Sequence, residues 1–333
     1  MAAYAGCDSR SPRLERAAYV YTLHDRDEMT GTVTANTINS TMLAKIEQSK
    51  GFIAALDQSG GSTPGALKAY GIGEDAYSND EQMFGLIHDM RTRIITAPSF
   101  NGDKVIGAIL FEKTMDGEAN GKPVPQLLWE RGVVPFLKVD KGLEEAADGV
   151  RMMKPIPGLD DLLKRAVGLG VFGTKMRSVI DLASPSGIAA IVRQQFDVAD
   201  QIARHGLIPI LEPEVSIKSP ERAEAEAILL GELTKGLDAL PEGRQVMLKL
   251  TIPTQANLYA RLVDHPRVAR VVALSGGFSR EEACRHLAGN RGVIASFSRA
   301  LLEDLRHQMS DEEFDRTLGK AIDEIYQASV AGA

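Results

Sequence analysis

Four stretches decide how this sequence folds: VPFLK (134–138), VFGTK (171–175), LIPILE (207–212) and VMLK (246–249). Each is a short, mostly apolar run that ends in a charge, and the closing residues Lys138, Lys175, Glu212 and Lys249 follow one another at intervals of 37 residues. That interval holds one strand and one return helix. Near-continuous apolar runs of this length suit parallel strands buried on both faces. Outward from these four, FIAALD (52–57) and VIGAIL (105–110) come before, and RVVALS (270–275) and GVIASF (292–297) come after. The segments between them read as helix. Thr63-Pro64 and Ser219-Pro220 place a capping residue before a proline at the first helical position. Ser279 with Glu282, and Ser310 with Glu313, have capping-box spacing. Eight strands alternating with helices predict one α/β domain, a (β/α)8 TIM barrel, over residues 29–333. The first clear helix is expected near 41–50. Residues 1–28 mix charges of both signs without an apolar run, and are read as a poorly ordered or non-native N-terminal extension.

Composition narrows the functional classes. With 333 residues, of which 44% are hydrophobic, the chain has too much apolar material for a disordered protein. The formal net charge of −7 excludes a global basic footprint for nucleic acid. Cys7 and Cys284 are the only cysteines, too few for a disulfide framework or a thiolate zinc site, and point to a reducing, cytoplasmic setting. No apolar run approaches the roughly 18 residues of a membrane helix. The six histidines are scattered without ligand spacing, so no metal site is expected. His88 and His205 read as surface or helix-end residues.

In a barrel, residues at equal phase in successive βα units are expected at equal height, here the carboxyl end of the strands where barrel enzymes carry their chemistry. Like charges gathered there cost Coulomb energy unless an anion binds. Lys249 has an apolar setting, and burial beside another cation favours the neutral amine that attacks a carbonyl; a lysine snorkelling from a strand end is the bland alternative. Glu212 and Glu214, at the end of the fifth strand, supply a proton acceptor and donor, or simply a solvated acidic loop. Lys175 and Arg177, two apart at the end of the fourth strand, can face one anion. Asp57 ends the first strand and could accept a hydroxyl proton or cap a helix. Gly276 and Gly277 before the Ser279 cap, together with Arg299 at the start of the final barrel helix, fit a phosphate site after strands seven and eight.

Taken in order, LDQSGGS, KVDKG (138–142), KMR (175–177), EPE (212–214), Lys249, LSGG (274–277) and SFSRAL (296–301) resemble class I fructose-bisphosphate aldolase in its shorter microbial form, over roughly residues 36–330. The resemblance implies reversible cleavage of fructose 1,6-bisphosphate to dihydroxyacetone phosphate and glyceraldehyde 3-phosphate, in glycolysis and gluconeogenesis, without metal or cofactor. Lys249 would form the Schiff base, Glu214 would be the proton acceptor and Glu212 its acid/base partner. Asp57 would orient or deprotonate the C4 hydroxyl, and Lys175 would stabilise charge developing there. Ser275, Gly276 and Arg299 would hold one phosphate, with Lys138 and Arg177 nearer the other end and Gly277 and Ser296 also binding substrate. The partners implied are small sugar phosphates, with neither nucleic acid nor membrane, and a homo-oligomer is compatible with the sequence. Vertebrate relatives have Asp-Glu-Ser where this chain has Asp57-Gln58-Ser59. They also carry an arginine shortly after that turn with no counterpart in Ser62–Ala66, and a terminal tyrosine where this chain reads QASVAGA. Tyr326 is read as part of a packing helix with Phe314, Leu318, Ile322 and Ile325. Transaldolase is the competing Schiff-base barrel, with one phosphate and its lysine on another strand. A non-catalytic sugar-phosphate sensor or scaffold is the alternative outside the enzymes.

Overall fold

The apolar runs become strands because both of their faces find cover. In a computed structural model that describes residues 38–332, eight parallel strands follow one another in chain order: β1 (Phe52–Leu56), β2 (Val105–Leu110), β3 (Val134–Lys138), β4 (Gly173–Ile180), β5 (Ile208–Val215), β6 (Val246–Thr251), β7 (Val268–Leu274) and β8 (Val293–Ala295). The Ala55 N–H donates to the Phe297 carbonyl at 3.1 Å, which joins β1 to the chain just past β8 and rounds the sheet into a barrel. The expected (β/α)8 architecture is therefore present. The expected extension over 1–28 lies outside the described residues.

Alternate strand residues point inward and outward. The inward set includes Ile53, Ala55, Phe136, Ile208, Ile210, Met247, Val272 and Ile294, all packed into one inner core. The outward set packs beneath the surrounding helices in a second, larger core. Gly173 is needed inside: a Cβ there would come within 2.3 Å of the Ile208 carbonyl oxygen and 2.9 Å of the Phe136 ring. Its absence lets Phe136 and Phe172 meet edge-to-face at 5.5 Å. The helix Ser40–Gln48 closes the amino-terminal end of the barrel, with Met42 and Ile46 buried in the inner core. Arg270, near the start of β7, holds that helix from below, donating to the carbonyls of Ile46 (2.8 Å) and Glu47 (2.7 Å) at its C-terminal end.

Several boundaries differ from expectation. β4, β5 and β6 run on past Lys175, Glu212 and Lys249, so these residues, and Arg177, lie within strands rather than closing them. β4 and β5 stay paired from Gly173↔Ile208 to Ile180↔Val215, and Val150–Arg151 adds an antiparallel pair to the far end of β4. The equal-height expectation holds only pairwise. Lys138 pairs with Lys175, and Leu211 pairs with Leu248 one residue below Glu212 and Lys249, yet Glu212 pairs with Arg177. The barrel stagger inserts two residues between β4 and β5. The helix expected from Pro220 begins at Arg222, after a turn in which the Ser219 hydroxyl accepts from the Glu221 N–H. The Ser279–Glu282 capping box is complete. Arg299 opens only a short helix, Arg299–Leu302; the last long one, Asp311–Ala331, buries Phe314, Leu318, Ile322 and Ile325, with Tyr326 packed alongside. His205 caps the helix that ends at Arg204, and His88 sits half-buried in the helix Asp80–Thr96.

Candidate active site

The inward parity of the strands carries on upward and changes chemistry. Above Ala55 comes Asp57; above Phe136, Lys138; above Gly173, Lys175 and Arg177; above Ile210, Glu212 and Glu214; above Met247, Lys249. A dry apolar layer thus carries a layer of charges. These residues line one cavity of about 930 Å³ at the carboxyl end of the barrel, together with Ser275, Gly276, Ser296 and Arg299.

The cluster of lysines expected to require an anion already has carboxylates of its own. The Lys175 ammonium is 2.6 Å from Asp57 Oδ2, 2.9 Å from Glu212 Oε2 and 3.8 Å from Asp140 Oδ2. Glu212 bridges, with its Oε1 3.0 Å from Lys249 Nζ. Lys175, Glu212 and Lys249 are each at most 4% exposed. Burial alone would raise the Asp57 carboxyl, but the ammonium groups of Lys175 and Lys249 hold it well below the usual carboxylate range. Burial likewise opposes the Glu212 anion, and the same two lysines outweigh it and lower its pKa. Burial would lower Lys175, yet Asp57, Glu212 and Asp140 hold it above an ordinary lysine. Asp57 is accordingly an ion-pair partner, not a helix cap. Arg177 Nε donates to Glu214 Oε2 at 2.5 Å and fixes the second glutamate on the same wall.

Across the mouth, Gly276 and Gly277 take left-handed conformations (φ 62° and 119°) that make the turn after β7. Gly277 is not among the cavity-lining residues, and its positive φ is what favours glycine there. The buried Ser296 hydroxyl has no partner among the described residues. Every expected site residue except Gly277 therefore reaches one cavity. Sequence reasoning passed over Gln58, Ser59, Ser62, Asp140 and Arg306, which line it too. Asp140 binds the Lys138 ammonium through Oδ1 (2.7 Å) and its carbonyl (2.9 Å). Its signal lay in KVDKG, a carboxylate two residues after a mouth lysine.

Comparison with known proteins adds the family. Residues 38–228 match the family model for glycolytic class-I fructose-bisphosphate aldolase. The chain belongs to that family. As a class I aldolase it is a lyase. The matched segment carries Asp57, Lys138, Lys175, Arg177, Glu212 and Glu214, while Lys249 and the residues after β7 lie beyond it. Among solved structures, a fructose-bisphosphate aldolase from Plasmodium falciparum is similar over 88% of this chain and 94% of its own, with TM-score 0.69 and 22% identity. Another from Slackia heliotrinireducens is similar over 91% and 95%, with TM-score 0.52 and 15% identity. At those identities the likeness is one of fold.

Proposed function

We propose that this aldolase cleaves fructose 1,6-bisphosphate through a Schiff base on Lys249, without a metal, in cytoplasmic glycolysis and gluconeogenesis. The observation that carries the reading is the Lys249 amine, 3.0 Å from Glu212 on the wall of a cavity of about 930 Å³ that Lys138, Arg177 and Arg299 also line. Lys249 attacks the C2 ketone, and loss of water leaves a protonated imine that draws electrons from the C3–C4 bond. Glu212, ion-paired to both lysines, is held ionised and steadies the cationic imine as it forms. Lys175, kept protonated, stabilises the charge that develops on the C4 oxygen. Asp57, held in place by its ion pair with Lys175, orients the C4 hydroxyl. Glu214 takes the proton, its carboxylate aimed by Arg177. The C3–C4 bond breaks, glyceraldehyde 3-phosphate leaves, and protonation of the enamine followed by imine hydrolysis releases dihydroxyacetone phosphate. Ser275, Gly276, Ser296 and Arg299 hold the ketose-side phosphate, and Gly277 shapes the turn beside them; Lys138 and Arg177 serve the aldehyde end.

Borohydride reduction in the presence of dihydroxyacetone phosphate, followed by peptide mapping, tests the reading. The expected result is an adduct on Lys249 and loss of activity. An adduct confined to Lys138 or Lys175 would overturn it. Lys249→Arg is expected to lose turnover by orders of magnitude, because a guanidinium stays protonated and cannot attack the ketone.

A further inference from the structure

The weakest join in the barrel lies beside Arg299. β8 is three residues long and pairs with β7 at three positions, whereas towards β1 the one backbone hydrogen bond among the described residues runs from the Ala55 N–H to the Phe297 carbonyl. Further up, one residue past Phe297 and three past Ala55, a side chain crosses this seam: Gln58 Nε2 donates to the Ser298 hydroxyl at 2.6 Å. Ser298 immediately precedes Arg299 and is the N-cap residue of its short helix.

Gln58 is itself gripped from behind. Arg91, on the helix Asp80–Thr96, is wholly buried. Its Nη2 donates to the Gln58 carbonyl and lies 3.5 Å from Gln58 Oε1, while Nη1 donates to Thr114 Oγ1 at 2.9 Å. Among the described residues no carboxylate comes within ion-pair distance of it, and burial pushes its pKa down to about 10 although Asp57 opposes that shift. A buried cation spent on a main-chain carbonyl is costly unless the position of that carbonyl matters. Here the carbonyl belongs to the turn that follows Asp57.

We infer that Gln58, anchored by Arg91, is a positioning residue that ties Ser298 across the seam and so presents Arg299 to the ketose-side phosphate. The inference rests on the proposed role of Arg299. The tie is one hydrogen bond in the cavity wall beside Arg299, away from Lys249, so its loss acts on phosphate affinity more than on the chemical step.

The test uses Gln58→Met, which keeps the stem and removes the amide, with Ser298→Ala as an independent cut of the same bond. Either variant should raise the Kd for dihydroxyacetone phosphate by about three- to ten-fold, with kcat on the bisphosphate changed less than KM. The double variant should be no worse than the worse single one. In an Arg299→Ala background, Gln58→Met should add less than about two-fold, whereas in an Arg177→Ala background its full effect should persist. A general loosening of the barrel would instead weaken binding in both backgrounds and overturn the inference. So would an unchanged Kd in Gln58→Met beside an active wild type. A wild type that neither binds dihydroxyacetone phosphate nor cleaves the bisphosphate overturns the proposed function, and this inference falls with it.

Discussion

Replacing Lys175 by methionine would leave Asp57, Glu212 and Asp140 facing a thioether in a dry wall. Removing one partner from a buried charge network costs about 3–5 kcal/mol, so Lys175→Met should lower the urea-unfolding free energy by that order and abolish turnover. The pH dependence follows from the directions of the shifts. Asp57 and Glu212 titrate below their ordinary values in the folded chain, so their contribution is complete above roughly pH 5 and lost as pH falls through the folded-state values. Lys175 titrates above its ordinary value, so its contribution is complete below about pH 10 and lost only as pH rises beyond it. The stability gap between wild type and Lys175→Met should therefore shrink in urea titrations below about pH 4; a constant gap would contradict the network. Binding divides by residue as well. Arg299→Ala should weaken fructose 1,6-bisphosphate and dihydroxyacetone phosphate alike, by about 1.5–3 kcal/mol. Arg177→Ala should weaken the bisphosphate alone and narrow its preference over fructose 1-phosphate in competition assays. The opposite pattern would reverse the substrate in the barrel. At this scale Lys138, Lys175, Glu212 and Lys249 were legible because their spacing repeats, and Glu214 because it stands two residues from Glu212. Arg91 was less so, although it stands among Ile87, Met90 and Ile94 on the core-facing side of its helix, a position where an arginine is itself a signal.

Among elements, the helix Ser40–Gln48 separates stability from chemistry. Ile46 is fully buried at the closed end of the barrel, opposite the charge layer. Ile46→Ala should cost about 2–5 kcal/mol in urea unfolding while kcat and KM stay near wild type, since that end of a barrel carries stability and the other carries catalysis. A large loss of kcat in folded protein would show that the plug also shapes the site. Strand positions were readable because an apolar run covered on both faces has few other fates. Strand ends were not. A charged side chain usually marks the end of a strand, but in this barrel Lys175, Glu212 and Lys249 point inward into the cavity while their backbone continues the ladder. Sequence also could not reveal the two-residue stagger between β4 and β5, which depends on barrel closure and not on local propensity. The helix start at Arg222 was missed for a related reason: Ser219 and Pro220 spend their capping character on a turn.

For the molecule as a whole, the carboxylates nearest Lys249 and Lys175 are neutralised by lysines, which suits an imine rather than a metal as electron sink. Activity should survive EDTA in steady-state assays; loss on chelation with recovery on adding zinc would refute the proposed chemistry. Among the described residues the helix Ser40–Gln48 and the apolar layer close the barrel beneath the charges, so the cavity opens at the carboxyl end of the strands. Under the proposed chemistry the half tethered to Lys249 cannot leave until the imine has been cut by a water molecule. Under that chemistry the order of departure follows from the tether. Aldehyde goes first and ketone last, and product-inhibition patterns for the cleavage reaction should show that sequence.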